Sequence, residues 1–153
     1  MLYIRYESPT PNSRGAHPGI FALANGLARS GRLSATDWSW WRSNNDWLDA
    51  AYPDPATVDP TLFDRTKNPI VTCWSKDTAT HLLDRVDEYL KLLQRHDIGC
   101  VRRQTPDPGL VLYEDSVQVV VRPACPGRCA DPPSNDDDGV ADRTGVARHP
   151  RFL

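Results

Sequence analysis

The sequence predicts a two-layer α+β domain over residues 1–122, built on a mixed sheet of about five strands, with a disordered tail at 123–153. Three observations lead there. Short alternating or β-branched segments lie at both ends of the first 122 residues, helical apolar stripes lie between them, and apolar periodicity stops after Arg122. At 153 residues the chain has the size of one domain and can bury a real core.

Leu2, Ile4 and Tyr6 alternate with Tyr3, Arg5 and Glu7, the period of a strand with one buried face. After a Pro/Ser/Asn/Gly loop, Ile20, Phe21, Leu23, Ala24, Leu27 and Ala28 form one helical stripe within residues 18–30, and Gly31 supplies the stop. Ser34 to Asp37 has capping-box spacing, with Asp for the usual Glu or Gln, and opens a second helix. Four prolines between Tyr52 and Pro69 forbid a regular helix or central strand and mark a lid or packed Ω-loop. Ile70 to Trp74 reads as a strand. Asp77 or Thr78 then caps a helix with Leu82, Leu83, Val86, Tyr89, Leu90 and Leu93 on one face. Residues 98–104 return as a strand, and 110–113 with 117–121 form a hairpin. The order β-αα-loop-β-α-β-β-β contains a βαβ crossover onto which the hairpin adds antiparallel strands. The tail, with Asp136-Asp137-Asp138 and many Pro, Gly and Arg residues, cannot bury enough surface to offset its ordering entropy.

A formal net charge of −2 provides no long-range positive field to gather nucleic acid. Residues 1–7 lack the basic and apolar regions of a secretory signal, and no run is long enough to span a bilayer, so the expectation is a cytoplasmic protein with no membrane partner. Cys73 and Cys100 read as small core residues, while Cys125 and Cys129, with His149 as the third ligand at hand, make an incomplete zinc site. No metal or cofactor is expected.

Four of the five tryptophans lie between Asp37 and Tyr52. At about 100° per residue, Trp38, Trp40, Trp41, Trp47, Leu48, Ala51 and Tyr52 cover half the helical wheel; Asn44 falls near the middle of that arc and Asn45 towards one side. An amide on such a face finds partners or costs about 1–3 kcal/mol, so it is a structural tie or a polar anchor in a ligand cleft. As a cleft closed by residues 53–69, Trp40, Asn44 and Trp47 would join Arg5, Trp74 and Lys76 and hold a polar or anionic small molecule. Ser75-Lys76-Asp77-Thr78, joining a strand to a helix start, suits an anion but lacks the glycines of a nucleotide-binding loop.

Glu7 and Glu114 end two strands. If those ends were adjacent, the pair could share a proton and, with His81 on the polar side of the long helix, serve acid–base chemistry; the bland alternative pairs Glu7 with Arg5, Arg102 or Arg103. His17 before the first helix is a candidate of the same kind. No nucleophile sits in a recognisable elbow or cap.

The stretches GIFALANGL at 19–27, NNDW at 44–47 and PGLVLYEDSVQVVV at 108–121 resemble a group of small uncharacterised bacterial proteins, and the arginine- and aspartate-rich composition looks like actinomycete-type GC-rich coding. The resemblance covers residues 1–122 and implies a domain boundary, with no activity attached. The leading functional expectation is a small-molecule-binding domain. The second is an interaction, inhibitor or accessory module using exposed tryptophans as a hot spot, and the third a small acid–base enzyme.

Overall fold

A computed structural model describes residues 1–124. The elements are β1 (Tyr3–Glu7), α1 (Ile20–Arg29), α2 (Ala35–Ala51), α3 (Pro55–Val58), β2 (Thr72–Lys76), α4 (Thr80–Arg95), β3 (Val101–Thr105), β4 (Leu110–Glu114) and β5 (Gln118–Arg122). The α+β class, the five strands and the element order agree with the sequence reading. Cys125, Cys129, His149 and the tail beyond Ala124 lie outside the described residues.

The five strands run in the order β3-β1-β2-β5-β4, and every neighbouring pair is antiparallel. This corrects the expected mixed sheet. Strands β2 and β3 do run in the same direction, since both are antiparallel to β1, but β1 is inserted between them and no parallel pair forms. Burial explains the insertion. Ile4 and Arg5 are buried on successive positions of β1, so it needs cover on both faces, whereas Arg102, Arg103 and Gln104 leave β3 suited to an edge that charge protects. Strand β5, buried from Gln118 to Val121, is likewise interior.

Helices α1, α2 and α4 make the second layer. Ile20, Phe21, Ala24 and Leu27 of α1 meet Trp41 and Leu48 of α2 and Leu82, Val86, Tyr89, Leu92 and Leu93 of α4. Each large apolar side chain buried this way stabilises the fold by about 1.5–3 kcal/mol. Tyr89 anchors the cluster, with Phe21 and Trp40 edge-on at 5.0 and 4.9 Å.

The helix ends show which local signals operate. Ser34 Oγ accepts from the Asp37 backbone N–H at 3.1 Å as expected, while the Asp37 carboxylate is engaged by Arg95 at 2.8 Å. Thus only half of the capping box forms. Helix α1 stops at Gly31, whose φ of 73° suits a residue without Cβ. Helix α4 starts later than expected: Ala79 is its N-cap, without a side-chain cap bond, because pairing of Ser75 with Gln118 and donation from Lys76 N to Val117 O extend β2. Its end is a Schellman arrangement with Asp97 at φ 56°, Ile98 N donating to Leu93 O.

The proline-rich segment also differs in one respect. Pro55 begins the short helix α3, tolerated because a first-turn N–H has no partner to lose, and Asp54 Oδ1 caps it through Ala56 N at 2.9 Å. Farther on, Asp59 and Asp64 accept from Thr61 and Thr66, bonds that hold both carboxyls below the usual carboxylate range. Leu62 is buried and tacks the segment down, and Asn68 receives Arg122 at 2.8 Å. Among the described residues no helix is long and apolar enough to cross a membrane.

Candidate functional site

Strand alternation puts the expected site residues of the strands, Arg5, Glu7, Trp74, Lys76 and Glu114, on one face of the sheet. Ile4, Ser75 and Gln118 share a row on the face turned to α1 and α4, where they line a cavity of about 30 Å³ with Ile20, Phe21 and Val86. That volume takes water, not an organic ligand. The opposite face carries Arg5, Trp74 and Glu114 in one row through the pairings with Val119, with Glu7 and Lys76 one step away on either side. Arg5 and Trp74 also border the cavity from their neighbouring positions, whereas Trp40, Asn44 and Trp47 do not, so the structure does not bring the two halves of the expected cleft together.

On the outer face each charge is satisfied. Arg5, 6% exposed, donates to Glu7 Oε2, to Cys73 O and to His17 O, all at 2.8 Å. Ladder pairing between β1 and β2 covers only Tyr3 with Lys76 and Ile4 with Ser75, so the guanidinium fills the splay beyond Ile4. Its position is that of a structural wedge. Glu7 also receives Arg103 at 3.4 Å, and Lys76 pairs with Glu114 at 2.7 Å. Three strand spacings, about 14 Å, separate β1 from β4, so Glu7 and Glu114 form no carboxylate pair. His81 is exposed at the start of α4, at the Lys76 end of β1 and away from Glu7. The ring of His17 is bonded through Nδ1 to Ser8 O at 2.9 Å.

The tryptophan helix is arranged differently from the wheel. Its buried stripe is Trp41, Asn45 and Leu48, so Asn45, with no exposed surface, lies at the centre and Asn44 at the margin. Asn45 Nδ2 donates to Asn25 Oδ1 at 3.1 Å, and its Oδ1 accepts from the Tyr89 hydroxyl at 2.7 Å. Asn25 Oδ1 also accepts from Trp41 Nε1 at 3.0 Å. One amide pair thus ties α1, α2 and α4 inside the apolar core, where satisfied polar groups fix one packing. Burial, the dominant cause, raises the Tyr89 hydroxyl above its usual pKa.

Asn44 faces a second, more open cluster. Its Nδ2 donates to Trp40 O at 2.9 Å, and its Oδ1 accepts from Arg85 Nη1 at 2.7 Å. The Arg85 guanidinium lies on the Trp47 ring, 3.5 Å from its centre, and Tyr52 meets the same indole edge-on at 5.8 Å. All four side chains are partly buried. Stacking and the amide together hold the guanidinium in one plane. No carboxylate lies within ion-pair distance of Arg85 among the described residues, whereas Arg5, Arg42, Lys76, Lys91, Arg95 and Arg103 each have one. Of the expected ligand residues, Trp40, Asn44 and Trp47 meet here; Arg5, Trp74 and Lys76 do not.

Two residues that matter most escaped the sequence reading. Asn25 and Arg85 both occupy apolar stripes, Asn25 beside Phe21 and Ala28, and Arg85 between Leu82 and Tyr89 at helical spacing. A polar residue inside an otherwise apolar stripe was the available signal. Burial pushes the thiol of Cys100, half-buried against the core, up to about 11, away from thiolate chemistry. Among the described residues no group of three or more His, Cys, Asp or Glu is placed to hold a metal ion. In comparisons with known proteins the chain matches no family model, and neither a curated protein nor a solved structure matches it.

Proposed function

We propose that this chain binds a small molecule through an anionic group at Arg85, against Trp47 and Asn44. The observation that carries the reading is a partly buried guanidinium, oriented by an indole and one amide, with no carboxylate partner among the described residues. An arginine desolvated on one face is short of hydrogen-bond acceptors, and a carboxylate or phosphate supplies them through charge-assisted bonds of about 1.5–3 kcal/mol each. Trp47 and Tyr52 add an apolar wall beside the charge.

The indole reports on its own cation. Titration of intrinsic fluorescence with a panel of carboxylates and phosphates should show saturable quenching, weakened at least tenfold by Arg85→Gln and less by Arg85→Lys. Identical titrations for wild type and Arg85→Gln would overturn the reading. A protein partner on the same helix is the second reading, and Trp38, 49% exposed at the other end of α2, favours it. Replacement of Trp38 by Ala should leave small-anion titrations unchanged and weaken only a protein contact.

A further inference from the structure

We infer that the group taken up at Arg85 is a single carboxylate carried by a flat, uncharged body, in preference to phosphate or any dianion. This rests on the anion reading above and goes further by assigning the charge and shape of the ligand. Three features of the surroundings lead to it. First, Arg42, the arginine of α2, is committed to Asp46 at 2.6 Å and Lys76 of β2 to Glu114 at 2.7 Å, so neither is free to share an anion with Arg85. A phosphate near neutral pH bears about −1.5 to −2 charges and is ordinarily met by several donors or by a helix start. Arg85 lies beyond the first turn of α4, where the helix dipole no longer contributes.

Second, the adjoining end of α2 is acidic. Asp46 and Asp54 both act on Asp49 there: desolvation lifts the Asp49 carboxyl above the usual range, opposed by Arg42 and reinforced by Asp46 and Asp54. Arg85 and Asp49 act on the Tyr89 hydroxyl in opposite senses, Arg85 lowering and Asp49 raising its pKa. A monoanion gains one strong pair at Arg85 against this background, and each added negative charge meets repulsion. Third, the Trp47 and Tyr52 rings stand at 82° to each other beside the guanidinium, so a ligand body seated there meets ring surface rather than charge.

The test follows the indole N–H resonances of the full chain by NMR during titrations with benzoate, phthalate, phenyl phosphate and inorganic phosphate. Benzoate should move the Trp47 indole signal saturably and bind at least tenfold more weakly to Arg85→Gln. Phthalate and phenyl phosphate should bind at least threefold more weakly than benzoate, and Asp49→Asn should narrow that gap. If phenyl phosphate or inorganic phosphate binds more tightly than benzoate in an Arg85-dependent way, the monocarboxylate assignment falls and the anion site stands. If none of the four binds, or binding ignores Arg85, both fall.

Discussion

The Asn45 side chain has no exposed surface, so each of its polar atoms must be matched within the protein, and the partners are Asn25 and Tyr89. Removing it leaves a buried hydroxyl and a buried amide short of partners beside a small void. Asn45→Ala should therefore cost about 2–4 kcal/mol, a fall in Tm of roughly 10 °C by calorimetry. Asn44, only partly buried and bonded to its own helix and to Arg85, can lose its amide to water on one side. Asn44→Ala should cost under about 1 kcal/mol while freeing the guanidinium from its plane, so it weakens anion binding more than it weakens the fold. An equal loss of stability in the two variants would contradict this division between tie and anchor. The sequence placed two amides among indoles, and both do lie there. Which one was buried depended on the angle at which α2 meets α1 and α4, a tertiary choice that a wheel drawn through four large rings biases towards the rings.

At the scale of elements, capping and glycine chemistry were legible where the signal is local: Ser34 starts α2 and Gly31 ends α1 as their types dictate. Signals failed where strand pairing competed, as when β5 drew Ser75 and Lys76 into β2 and left α4 to start without a side-chain cap. Two glycines separate these regimes. Gly26 lies exposed within α1, and a Cβ there meets nothing within 4 Å, so Gly26→Ala should stabilise the protein by about 0.5–1 kcal/mol through reduced freedom of the unfolded chain. Gly109, at φ 123° just before β4, is packed so closely that a Cβ would run into the Arg122 carbonyl at the end of β5. Gly109→Ala should cost about 2 kcal/mol or more, because the φ is unfavourable and the strand pair must also open. Urea denaturation of both variants checks the pair; a stabilised Gly109→Ala would mean that the turn tolerates an ordinary residue.

For the whole molecule, which charges meet depends on strand order, which periodicity does not encode. The alternation in β1 put Ile4 and Arg5 on opposite faces but predicted one buried face where both residues are buried, and strand order decided that Glu7, beside β3, would meet Arg103 and that Glu114, two strands from β2, would meet Lys76. Both carboxylates are thereby neutralised, and in the helical layer Arg85 is held by an amide and an indole rather than by a carboxylate. Five strands, the three long helices and the Asn25–Asn45–Tyr89 tie all lie within residues 1–124. A chain ended at Ala124 should accordingly unfold in one cooperative transition within about 2 °C of the full-length protein, and should retain Arg85-dependent quenching of Trp47 fluorescence. Ending at Ala124 rather than Arg122 keeps Pro123 and Ala124, whose backbones pack against Gly109. A midpoint lowered by about 5 °C or more would show that residues 125–153 add to the fold. Loss of quenching at an unchanged midpoint would show instead that they complete the anion site.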